Sequence, residues 1–120
     1  MQPLPPGKIE ISPQVIATLA GRAVTQCYGV VGMAPRRLHD GWAEVLQQEN
    51  LRRGVDVSWH GHQLIIELHV IMEHGVRIAE VARNIIDVVR YQVEKVTGLE
   101  VAQVNVTVEG LHQGKTVPQE

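Results

Sequence analysis

The sequence predicts an α+β domain: a small antiparallel or mixed sheet with two main helices packed mainly on one face. Three observations carry this. Two period-2 apolar runs flank the short connection His60-Gly61-His62-Gln63, a long helical pattern runs from Val76 to Val96, and a last period-2 run follows from Val101 to Glu109. At 120 residues the chain is long enough for one core without disulfides or metal, and too short for two. The expected order is β-α-β-β-α-β, with an extra short strand and a helical turn within 30–50.

Residues 1–6, rich in proline, read as a flexible leader before a domain spanning 7–110. Lys8-Ile9-Glu10-Ile11 alternates as a short half-buried strand does. Ser12-Pro13 marks a helix start: the Ser12 hydroxyl can accept from an orphan N–H group, and Pro13 fits the first helical position. Ile11 and Ile16 have the spacing of a hydrophobic staple. Val15, Ile16, Leu19, Ala20, Ala23 and Val24 give that helix one apolar face, which ends near Tyr28-Gly29. Val30 to Met33 is the extra strand, and Trp42 to Gln48 the helical turn.

Val55, Val57 and Trp59 alternate with polar residues, as do Leu64, Ile66, Leu68, Val70 and Met72 with Ile65, Glu67, His69 and Ile71. The glycine-containing connection between the runs pairs them antiparallel. The helix from Val76 to Val96 carries Ile78, Ala82, Ile85, Val89, Val93 and Val96 along one stripe, widened by Val81, Val88 and Ile86 to an arc of about 160°. Gly98 can take the left-handed conformation that closes it. In the final strand Ala102, Val104, Val106 and Val108 alternate with polar neighbours, and 111–120 reads as a frayed tail.

Composition narrows the function. The formal net charge of -2 and the spread of 11 basic residues give no electrostatic footprint for a phosphate backbone, so nucleic acid is a disfavoured partner. Arg36, Arg37, Arg52 and Arg53 flank the segment from Ala34 to Arg53, which leaves a weak RNA-binding module as an alternative. The single Cys27 forms no internal bridge, which suits a reducing compartment. The N-terminus has no secretion signal, and the longest apolar stretch, Leu64 to Met72, is far below the ~20 residues of a membrane span. The expectation is a cytoplasmic protein without direct membrane insertion.

No residues assemble into a catalytic constellation, and no dinucleotide or phosphate loop is present, so neither an enzyme nor a cofactor is expected. His60, His62 and His69 are the candidate ligands of a histidine-based metal site, the first two sharing strand parity. They lack an accompanying His-x-x-x-His helix or cysteine pair, and the bland reading, exposed histidines of a turn, is preferred. Cys27 reads as a small buried hydrophobe rather than a nucleophile. Glu67 and His69 share a strand face that reads as a cross-strand surface rather than an acid–base pair. The wide arc of the second helix makes Ile78, Val81, Ile85 and Val88 the candidate interaction residues.

Several blocks in order resemble the bacterial alkaline shock protein family, the Gls-type envelope stress response proteins. They are Gly7-Lys8-Ile9-Glu10-Ile11-Ser12-Pro13-Gln14-Val15-Ile16, Gly29-Val30-Val31-Gly32-Met33, Ile78-Ala79-Glu80-Val81-Ala82, Val93-Glu94-Lys95-Val96-Thr97-Gly98-Leu99 and Val104-Asn105-Val106-Thr107-Val108. The resemblance spans Gly7 to about Gly110. It implies a non-enzymatic cytoplasmic bacterial protein linked to cell-envelope or alkaline stress. Such a protein acts by self-association as a homo-oligomer, or by docking a membrane-anchored protein partner. The resemblance carries no catalytic residues onto this chain.

Overall fold

The computed structural model describes residues 6–35 and 53–113. The expected helical turn at Trp42 to Gln48 lies outside them, as do Arg36, Arg37 and Arg52. The elements are α1 (Pro13–Thr25), β1 (Val30–Met33), β2 (Val55–His60), β3 (Gln63–Glu73), α2 (Ile78–Thr97) and β4 (Val101–His112).

Helix α1 starts where the Ser12-Pro13 chemistry places it. The Ser12 hydroxyl accepts from the Gln14 N–H at 3.1 Å, with proline just inside the helix. Lys8 to Ile11 does not form the expected strand. Ile9 is 91% exposed, and Lys8 pairs with Glu10, two residues on, at 3.0 Å. Two apolar residues in alternation are a weak pattern, and here the chain turns into the Ser12 cap before reaching a sheet edge.

The β2–β3 hairpin has the expected pairing: His60 sits opposite Gln63 and Val55 opposite Leu68, around Gly61 at φ 66°. β1 pairs antiparallel with β3 further along, Met33 opposite Val70, and β4 runs parallel to β3 from Leu64/Val101 to Glu73/His112. The sheet is therefore mixed, with β3 central. β4 extends through Leu111 and His112, two residues expected in the tail.

A parallel neighbour requires a crossover, and α2 supplies it. Its end is built locally: Gly98 takes φ 77°, its N–H donates to the Glu94 carbonyl at 2.9 Å, and the Glu94 carboxylate accepts from the Val101 N–H at 2.9 Å. One side chain thus ties the helix end to the first residue of β4.

Both helices cover one face of the sheet. Leu64, Ile66, Leu68, Val70 and Met72 of β3 join Ile16, Ala20 and Val24 of α1 and Val81, Ile85, Val89 and Val93 of α2 in one core. Each Leu, Ile, Val or Met among them contributes about 1.5–3 kcal/mol on full burial. Cys27 belongs to this core, its Sγ 3.4 Å from the Ala23 carbonyl, and burial pushes the thiol pKa up. That is the inert, hydrophobic role expected for it.

Candidate functional site

Because Leu68 and Val70 point into the helix-covered core, strand alternation turns His69 onto the opposite face. There it meets side chains from three strands. Glu67 shares its face two residues earlier on β3, Asp56 of β2 lies directly opposite Glu67, and Thr107 of β4 lies opposite His69. Glu109 follows two residues after Thr107.

The imidazole is held between carboxylates. His69 Nδ1 lies 2.7 Å from Glu109 Oε2, with the two side chains 12% and 17% exposed. His69 Nε2 lies 3.4 Å from Asp56 Oδ2, yet it is buried and makes no hydrogen bond among the described residues. Proximity and bonding part company here: the separation is short, but the alignment a hydrogen bond needs is absent. One ligand atom each from Asp56, Glu67 and His69 lie within 4.8 Å of one another.

The structure separates His69 from the other two candidate histidines. His60 pairs with Gln63 at the hairpin end, whereas His69 stands six residues further along β3, a distance of roughly 20 Å at strand rise. His60 and His62 are exposed around the turn. The grouping His60, His62 and His69 therefore does not converge; carboxylates surround His69 instead. Glu109, forty positions from His69, has no local signal linking it to the histidine. Only the β3–β4 register brings it there.

The candidate interaction residues divide as well. Val81 and Ile85, 5% and 0% exposed, are filled by the chain's own core, and Val88 packs partly against it. Ile78, at 42%, stands open on the first turn of α2. Among the described residues, β4 pairs with β3 alone, so its far edge carries no strand. No described helix is long and apolar enough to cross a membrane.

The alkaline shock protein 23 family, described as having a cell envelope-related function, matches over residues 2–113. The protein YloU of Bacillus subtilis (strain 168) is 44% identical over 106 residues, which cover 88% of each chain. A Gls24 stress response regulator homolog of Streptococcus pyogenes serotype M3 is 24% identical over 102 residues, 85% of this chain and 57% of that protein. Among solved structures, the copper form of the MamM CTD shares the fold with a TM-score of 0.51 over 88% of this chain and 92% of that one, at 12% identity. The two-helix mixed sheet is thus a fold seen in distant sequences, while the match across nearly the whole chain is specific: this protein is a member of the alkaline shock protein 23 family, with its cell envelope-related function.

Proposed function

We propose that this protein serves its cell envelope-related role without catalysis, by pairing with a second copy of itself through the open edge of β4. It acts on the cytoplasmic side and reaches the membrane through an anchored partner. The observation that carries this reading is the edge itself. A strand edge is a row of backbone donors and acceptors, and natural sheets blunt such edges with lysine, proline or very short strands. β4 is twelve residues long and contains no Lys, Arg or Pro.

An isologous antiparallel pair suits its side chains. A twofold axis at Asn105 sets Gln103 against Thr107 and Val104 against Val106, with no like charges opposed. The exposed residues near that axis are polar and uncharged, so the edge stays soluble until it pairs.

The test is the solution mass of the wild type and of a Gln103→Lys/Asn105→Lys variant by sedimentation velocity. The wild type is expected to sediment as a dimer or larger. The variant, which sets ammonium groups against each other at the axis, is expected to fall to the monomer with unchanged circular dichroism. A monomeric wild type at high concentration, or a variant of undiminished mass, would refute the reading.

A further inference from the structure

The face of the sheet away from the helices carries a second feature, independent of the β4 edge. We propose that Asp56, Glu67 and His69 bind one divalent cation of the zinc class, with Glu109 as the residue that positions the imidazole.

An ionised carboxylate has no hydrogen to give, so the 2.7 Å contact between His69 Nδ1 and Glu109 Oε2 is a donation from the ring. In the neutral imidazole the other nitrogen, Nε2, is then a bare lone pair. It faces Asp56 Oδ2, also an acceptor, at 3.4 Å. Two acceptors cannot bond to each other, and the alignment of the pair gives no hydrogen bond either, so the buried Nε2 has no hydrogen-bond partner among the described residues.

A cation between them turns the mismatch into coordination. Metal-bound histidines characteristically donate their second ring nitrogen to a carboxylate, which fixes the tautomer and aims the other nitrogen at the metal. Glu109 stands in that relation to His69.

The donor set fits the same class. One imidazole nitrogen and two carboxylate oxygens suit zinc and its first-row neighbours and leave positions open for water. The three donor atoms lie within 4.8 Å of one another, close enough for small side-chain adjustments to bring them onto a common centre. Asp56 and Glu67 are also directly opposed on adjacent strands, a like-charge pairing that a bound cation relieves.

The experiment uses the full chain, purified without an affinity tag and stripped with chelator. Co²⁺ is titrated against visible absorbance and Zn²⁺ by calorimetry, with thermal melts of each metal-free variant. The wild type is expected to saturate at one ion per chain. Glu67→Gln, at an exposed position, should melt like the wild type yet bind at least about tenfold more weakly. Glu109→Gln should weaken binding by about 10- to 100-fold, the usual effect of losing an orienting carboxylate. A His60→Gln/His62→Gln variant should bind as the wild type does. Absence of saturable binding overturns the proposal. So does binding that survives both Glu67→Gln and His69→Gln, or that disappears with His60 and His62.

Discussion

Ile85→Ala separates two roles that one apolar helix stripe could play. Ile85 is completely buried in the core shared by α1, α2 and β3. Truncation removes three carbons, worth about 2.4 kcal/mol at ~0.8 kcal/mol per methylene equivalent. The cavity left in a close-packed interior adds to this, so the expected loss is about 3 kcal/mol, inside the ~2–5 kcal/mol range for such changes. In a domain of this size that lowers Tm by roughly 10 °C or more. Ile78→Ala, on the same helix but 42% exposed, should cost under about 1 kcal/mol. Urea unfolding followed by circular dichroism, with sedimentation of both variants, reads the difference. An Ile85→Ala protein that keeps its stability but loses self-association would show that the stripe serves docking, and the core assignment would be wrong.

Two further outcomes follow from the packing. A Cβ added at Gly54 would lie 2.6 Å from the Ala34 carbonyl oxygen and 3.0 Å from Met33 Cβ, where backbone cannot yield cheaply, so Gly54→Ala should cost about 1–3 kcal/mol in urea melts, and a neutral result would deny the close approach. Burial raises the folded-state pKa of Cys27, so its contribution to stability is present at neutral pH and is lost as pH climbs above the ordinary thiol value of about 8.5; stability curves should fall more steeply there for the wild type than for Cys27→Ala, and parallel curves would refute it.

What could be read from the sequence was whatever is encoded locally. Ser12-Pro13 announces α1, Gly98 closes α2, and the Gly61 turn fixes the hairpin, because each is a short-range stereochemical requirement. Alternation at Lys8 to Ile11 misled, since two apolar residues have the same spacing whether or not a sheet edge lies beside them. The parallel β3–β4 ladder left no local trace, and the carboxylate surroundings of His69 went unread with it. Glu67 and His69 are neighbours in sequence, but Asp56 and Glu109 join them only through register. The width of the α2 stripe was visible, with core and interface both open as readings; packing fills it at Val81, Ile85, Val89 and Val93 and leaves Ile78 and Val96 exposed.

The β3–β4 ladder also bears on how the molecule comes together in time. The β2–β3 hairpin closes over a two-residue turn and can form within microseconds, but Leu64 and Val101 meet only after the whole of α2 has been laid between them. Closing so long a loop carries an entropic cost, and it organises β4 against the one strand that touches every other strand of the described sheet. Substitutions at Val89 or Val93, which seat the crossover helix, should therefore slow folding when the docked helix is part of the rate-limiting ensemble. Because Glu109 reaches His69 only across this ladder, their contact reports that β3 and β4 have met in register.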